Sequence, residues 1–220
     1  MTGYSKRYDK KETAGNTCTR EGEIIMSLVT RPAPDFTANA VMPDNMIEPF
    51  QLSALRGKYV VLFFYPMDFT FVCPTELIAY DNAVKKFEEL NAQLVSVSVD
   101  SAYSHFAWKL TERHKGGIGE LHYPMVADLS KQIARDYGVL INDEIALRGL
   151  FIIDKEGIVR HETINDLPLG RNVEETLRVL KALQFTEKYG EVCPANWKDG
   201  AEGLEPTAEG ISSYLSKHEK

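Results

Sequence analysis

Only three of the 220 residues are cysteine, at positions 18, 73 and 193. That is too few for a disulfide scaffold, and none pairs at the short spacing of a zinc site. The five histidines, at 105, 114, 122, 161 and 218, are scattered without an HExxH or similar pair, so neither a metal nor a cofactor is expected. No apolar run approaches the ~20 residues of a membrane-spanning helix. Positive charge is also short: 25 Lys and Arg stand against 32 Asp and Glu, a formal net charge of −7 with no basic cluster, which argues against nucleic acid as a partner. The first 25 residues lack both strand and helix periodicity and are expected to form an arm without stable structure. That arm has no apolar segment of the secretory type, and its acidic Asp9, Glu12, Glu21 and Glu23 argue against a mitochondrial transit peptide. A reducing, cytoplasmic setting is therefore expected. Met26 would serve as an alternative start, and Cys18 is given no role.

What is present suits one globular domain with a full core, at 44% hydrophobic and 26% charged residues. Tyr59 to Tyr65 (YVVLFFY) reads as a strand buried on both faces. Leu77, Tyr80, Val84, Phe87 and Leu90 then mark one face of a helix over about 75–90. The pattern continues with a strand at 93–99, a helix at about 103–113, a short strand near 124–127 and a helix at about 130–137. Strands at 148–153 and 158–163, joined by a Lys-Glu-Gly turn, read as an antiparallel hairpin, and Val173, Leu177, Leu180 and Gln184 mark a last helix. This is an α/β chain of thioredoxin-like layout, a central mixed sheet flanked by helices, over residues 26–185. Residues 186–220 form a tail whose apolar groups, in VCPANW and ISSYLSKHEK, are expected to dock somewhere.

The stretch FFYPMDFTFVCPTEL places Cys73 where the buried strand has ended at Pro66 and the helix begins. Pro74 suits the first helical position, and Glu76 suits the positive end of the helix dipole. The unpaired N–H groups of a helix start favour an anion, and a thiolate is one. A lone cysteine is more often a small core hydrophobe, but the strand–turn–helix context points to chemistry.

Pro66, Thr70 and Cys73 in P-x-x-x-T-x-x-C, followed by Pro-Thr-Glu, resemble the active-site signature of the peroxiredoxins. The resemblance runs from about Ser27 to the C-terminus through RGLFIID (148–154), NDLPLGR (165–171) and GEVCPANW (190–197), as in the typical two-cysteine subfamily. It implies a thiol peroxidase for hydrogen peroxide and organic hydroperoxides in which Cys73 attacks the terminal peroxide oxygen and becomes a sulfenic acid. Thr70 would orient peroxide and thiolate, with a helix-start hydrogen bond as its structural alternative. Pro66 would shield the sulfur from water, and Arg148 would bring a guanidinium beside it. Glu76 could help hold that arginine, but dipole pairing explains its position equally well, and it is left outside the catalytic set. Cys193 would resolve the sulfenic acid as a disulfide with the other subunit of an antiparallel homodimer. A ring of five dimers and reduction by thioredoxin or a thioredoxin-like protein are also implied.

Two other readings compete. A cysteine hydrolase would need a histidine base, and His161 is the candidate, although nothing in its HETIND surroundings marks an oriented base. A holdase chaperone or redox-sensing partner is the other, which the family also suggests as a secondary role. One departure concerns over-oxidation, for the loop reads GGIG (116–119) and the tail reads Tyr214-Leu215 where sensitive relatives have GGLG and Tyr-Phe. These two segments are expected to pack over the active-site helix.

Overall fold

The computed structural model describes residues 27–218, together with the backbone of Cys18–Arg20 and Glu23–Ile25. Those two short segments, β1 and β2, pair antiparallel. The rest of the arm expected at 1–25 lies outside the described residues. In chain order follow β3 (Thr37–Val41), β4 (Ile47–Gln51), β5 (Tyr59–Phe64), α1 (Cys73–Asn82), α2 (Val84–Glu89), β6 (Ala92–Ser98), α3 (Ala102–Leu110) and β7 (Met125–Ala127). Then come α4 (Gln132–Asp136), β8 (Leu140–Ile141), β9 (Ile145–Ala146), β10 (Arg148–Ile153), β11 (Val159–Asn165), α5 (Val173–Tyr189) and α6 (Ala208–His218).

Seven strands form one mixed sheet in the order β11-β10-β5-β6-β7-β3-β4. β5 lies inside the sheet, parallel to β6 and antiparallel to β10, and all six of its residues are buried. Its alternation divides the core. Tyr59, Val61 and Phe63 pack with Leu77, Tyr80, Phe87, Trp108, Leu177 and Leu180 beneath α1, α2, α3 and α5. Val60, Leu62 and Phe64 pack on the opposite face with Ile133, Tyr137 and Phe151. Each of these large apolar side chains contributes roughly 1.5–3 kcal/mol when fully buried.

The helix expected over 75–90 is two helices. It begins at Cys73 and breaks at Ala83 (φ −102°, ψ 1°), so apolar spacing alone joined two segments that lie on the same face of the sheet. The hairpin of β3 and β4 was not anticipated, because its exposed outer positions and Pro49 on the edge strand dilute the apolar alternation. The last core helix runs past Gln184 to Tyr189 and ends on Gly190 in a left-handed conformation. The tail then returns along α5. Val192 pairs with Leu204, Trp197 is buried against Phe185 with ring centroids 5.1 Å apart, and Lys181 meets Asp199 at 2.8 Å.

Candidate active site

Cys73 is the first residue of α1 and has no solvent exposure. Pro74 occupies the next position, where its missing N–H removes no helical hydrogen bond. Val72 precedes the helix without a side-chain cap, so the helix start is left to other groups. Arg148 reaches the sulfur, its Nη1 lying 3.4 Å from Cys73 Sγ. Arg148 is the first residue of β10 and is itself buried, contrary to the usual exposure of arginine. Next to it stands Gly149, where an added Cβ would come within 2.6 Å of Val139, so close packing holds this end of β10 in place.

A buried guanidinium requires partners, and the structure supplies them from residues that sequence reading set aside. Arg148 Nη1 donates to Glu76 Oε2 at 2.6 Å, and its Nε donates to the Leu167 carbonyl at 2.7 Å. Arg171 completes the group by donating to Glu76 Oε1 through Nε at 2.7 Å and through its backbone N–H at 2.8 Å. Its Nη2 donates to Oε2 at 3.1 Å, and its Nη1 to the Gly149 carbonyl at 2.7 Å. The Arg171 guanidinium also lies over the Phe63 ring, 5.2 Å from its centroid. Glu76 therefore does more than face the helix dipole: Oε2 holds the arginine that touches the sulfur, and both oxygens hold Arg171 beside it. Its signal in the sequence was a carboxylate on the apolar side of α1, three residues after Cys73. Arg171 and Leu167 give the NDLPLGR segment its purpose, since this loop folds onto the first turn of α1 with Gly170 facing Val72.

The other expected residues lie on the connection from β5. Pro66 is buried next to the fully buried Tyr65. Thr70 does not cap α1. Its hydroxyl donates to the Met67 carbonyl at 2.9 Å, which leaves the oxygen lone pairs as acceptors. Phe69, between them, has φ +53°, a left-handed conformation that costs a bulky residue of the order of 1–3 kcal/mol.

Cys193 is half-buried on the returning tail, and its thiol lies 3.7 Å from the Ala182 carbonyl of α5. Burial pushes this thiol up from its ordinary range, while the Arg178 guanidinium opposes the shift. Arg178 also donates to the Trp197 carbonyl at 3.1 Å and so holds the cysteine-bearing loop on α5. Cys73 and Cys193 are both free thiols in this chain. His161 on β11 is bound to Thr163 Oγ1 at 2.9 Å, and burial pushes it down; its hydrogen bond does not direct it at Cys73.

Of the two segments expected to cover α1, the GGIG loop places Ile118 in the same buried cluster as Cys73 and Leu77. The GGIG loop wraps Trp108, whose Nε1 donates to the Gly116 carbonyl at 2.9 Å. At Gly117 an added Cβ would come within 1.8 Å of the Thr111 carbonyl oxygen, so only glycine fits. No residue of α6 is buried, Leu215 is exposed, and Tyr214 stacks on His218. Within one chain α6 therefore does not pack over Cys73, because the tail that carries it has returned along α5.

Among the described residues no group of three or more His, Cys, Asp or Glu could hold a metal ion, and no helix is long and apolar enough to cross a membrane. A buried thiol under a fixed guanidinium is suited to nucleophilic attack in which negative charge develops on oxygen.

The chain is similar to known proteins over most of its length. The model of the AhpC/TSA family matches residues 29–162, and that of the C-terminal domain of 1-Cys peroxiredoxin matches residues 182–217. Peroxiredoxin-1 of Gallus gallus is 54% identical over 87% of this chain and 96% of its own length. The reduced 2-Cys peroxiredoxin of Plasmodium vivax superposes with a TM-score of 0.85 at 48% identity, over 86% of this chain and 99% of that one. Thioredoxin peroxidase I of Plasmodium yoelii gives 0.71 at 51% identity, over 78% of this chain and 99% of that one.

Proposed function

From the premise that this chain belongs to the peroxiredoxins of the AhpC/TSA family and is a thiol-dependent peroxidase, we propose the assignment of its residues to the steps of that reaction. The Cys73 thiolate attacks the terminal oxygen of a hydroperoxide. An S–O bond forms as the O–O bond breaks, and the leaving oxygen takes a proton to depart as water or an alcohol. Arg148 stabilises the negative charge on both sulfur and oxygen as it moves, and Glu76 with Arg171 keep the guanidinium aimed. Thr70, with its O–H committed to Met67, accepts the hydroperoxide O–H and so orients the molecule. Pro66 keeps bulk water from the sulfur. The single observation that carries this assignment is the 3.4 Å approach of a buried, doubly anchored Arg148 to Cys73 Sγ.

Cys193 then condenses with the sulfenic acid: an S–S bond forms and water leaves. In this chain the Cys193 thiol rests against α5, and we assign the sulfenic acid it meets to a second copy in an antiparallel homodimer, with a ring of five dimers as the larger assembly. A dithiol reductant of the thioredoxin type returns both cysteines to thiols, in a reducing, cytoplasmic setting. The name of one similar protein, thioredoxin peroxidase I of Plasmodium yoelii, supports a reductant of that type.

The test is peroxide consumption coupled to thioredoxin, with intact mass and non-reducing gels after one equivalent of peroxide. Cys73→Ser is expected to abolish turnover and Cys18→Ser to leave it intact. Oxidised wild type is expected as a covalent dimer, and Cys193→Ser as a monomer with Cys73 oxidised. Equal loss in the two first variants overturns the role of Cys73, and a bridge within one chain overturns the exchange between subunits.

A further inference from the structure

Behind the connection from β5 to α1 lies a second buried polar group that the steps above do not use. His105, on α3, has no solvent exposure, and both of its ring nitrogens face acceptors: Nε2 lies 3.2 Å from the Val126 carbonyl and Nδ1 lies 2.8 Å from Asp68 Oδ2. A carbonyl oxygen only accepts, so Nε2 carries hydrogen. Asp68 Oδ2 also accepts from Ser104 Oγ at 2.7 Å, and Oδ1 accepts from the Tyr65 hydroxyl at 2.8 Å, so the carboxylate behaves as an acceptor throughout. Nδ1 also lies 3.3 Å from the Tyr65 hydroxyl, so both ring nitrogens are engaged and the imidazole is held between β7 and the Asp68 side chain. The other titratable groups facing the pair are Tyr65, whose hydroxyl burial pushes well above its ordinary range, and Asp100, which burial and the neighbouring Asp68 push upward.

This group fixes one peptide unit. The N–H of Asp68 donates to Asp100 Oδ2 at 2.9 Å, and Asp100 Oδ2 also accepts from Ser98 Oγ at 2.7 Å. The carbonyl on the other side of that same peptide bond, that of Met67, accepts from Thr70 Oγ1. Phe69, inside the turn, stands at φ +53°, a conformation that a bulky residue keeps only when its surroundings over-determine it. The His105–Asp68 pair and Asp100 supply that determination, because they hold Asp68 by side chain and backbone together.

We propose that His105, acting through Asp68, is a positioning residue of the peroxidase reaction, which holds the Met67–Thr70 turn so that the Thr70 hydroxyl meets the hydroperoxide beside Cys73. The proposal rests on the assignment of Cys73 and Thr70 made above. It separates two properties of the site. The nucleophilicity of the sulfur depends on Arg148, which is anchored elsewhere, whereas the orientation of the oxidant depends on this turn. Loss of the pair should therefore slow reaction with peroxide while sparing reaction with a thiol reagent that needs no orientation by Thr70.

The experiment uses the full-length reduced protein and the variants His105→Gln and Asp68→Asn. Single-turnover oxidation of Cys73 by hydrogen peroxide is followed by rapid quench and mass spectrometry, beside alkylation of the same cysteine by iodoacetamide and thermal unfolding. Peroxide oxidation is expected to fall by about tenfold or more, since a misplacement of an ångström costs up to about a hundredfold. Alkylation is expected to keep its wild-type rate. If both rates stay at wild-type values, the pair positions nothing; if both fall together with the unfolding temperature, its role is structural only. Either result overturns the proposal. Peroxide reduction that survives Cys73→Ser would instead overturn the site on which it rests.

Discussion

Glu76→Gln tests whether the carboxylate between the two arginines is part of the machinery. Glu76 accepts four hydrogen bonds, two on each oxygen, all from Arg148 and Arg171. An amide of the same shape has one accepting oxygen, so whichever way it turns, its NH2 meets two of those donors. Both arginine side chains are nearly inaccessible, at 4% and 3% exposure, so neither can recover its loss in water. Removing one partner of a buried pair costs roughly 3–5 kcal/mol, a large share of the ~5–15 kcal/mol that holds a domain together. With a urea dependence of about 2 kcal/mol per molar, the unfolding midpoint should fall by roughly 2 M. Protein concentration must be held fixed, because an assembly contributes to apparent stability. At urea concentrations where the variant remains folded, oxidation of Cys73 by peroxide should slow by roughly a hundredfold, the effect of losing one well-aimed donor in a dry site. Urea titration by tryptophan fluorescence and rapid-quench mass spectrometry measure the two effects. A midpoint near that of wild type with an unchanged peroxide rate would refute the reasoning, because it would mean that Arg148 keeps its aim without Glu76.

Thr70→Val removes both the donor to Met67 and the acceptor assigned to peroxide, and should lower the peroxide rate by about 10²–10³-fold while iodoacetamide alkylation persists; equal loss in both would place Thr70 in the support of the fold instead. For Cys193 the sign follows from its surroundings: burial disfavours the thiolate, so disulfide formation should accelerate as pH rises through the alkaline range. Arg178 works against that shift, so Arg178→Met should displace the profile to still higher pH, as read from the second phase of stopped-flow oxidation; an unmoved profile removes Arg178 from this role. The exposed α6 predicts that Leu215→Phe raises the fraction of Cys73 converted to sulfinic acid per turnover, and that deletion from Ile211 lowers it, through contact with a second chain. If mass spectrometry during steady recycling finds the same fraction in all three proteins, the tail does not gate Cys73.

How far the sequence could be read depended on whether a residue's partners lie nearby along the chain. Strand β5 was legible because all six of its residues are apolar and buried, a pattern that needs no partner to recognise. Cys73 was legible for a similar local reason, since proline, threonine and the helix start surround it within a few residues. Arg148 and Cys193 came from family resemblance, because their neighbours are 75 and 11 residues away respectively. Glu76 was noticed and set aside: its two arginines lie 72 and 95 residues further on, and helix-dipole pairing explained its position without them. Asp68 was passed over and His105 was noted only as one of five scattered histidines, since a histidine without a metal motif gives no local sign of the carboxylate facing it. The break at Ala83 was hidden for the opposite reason, because both helices present apolar residues to the same face of the sheet and their periodicity runs on across the gap.

Two guanidiniums around one carboxylate leave the buried group with one positive charge in excess, and a Cys73 thiolate cancels it. The oxidation state of the sulfur is thereby converted into electrical balance. A neutral sulfenic acid returns the excess charge to a site with little water, where an unbalanced charge is costly and unwinding of the first turn of α1 is the available relief. A further oxidation to sulfinate restores an anion and closes the site again. The first oxidation thus favours opening, as disulfide formation requires, and the second favours staying shut. Amide hydrogen exchange in the first turn of α1 should accordingly be fastest for sulfenic acid held in Cys193→Ser, and slower in both the reduced and the sulfinic forms.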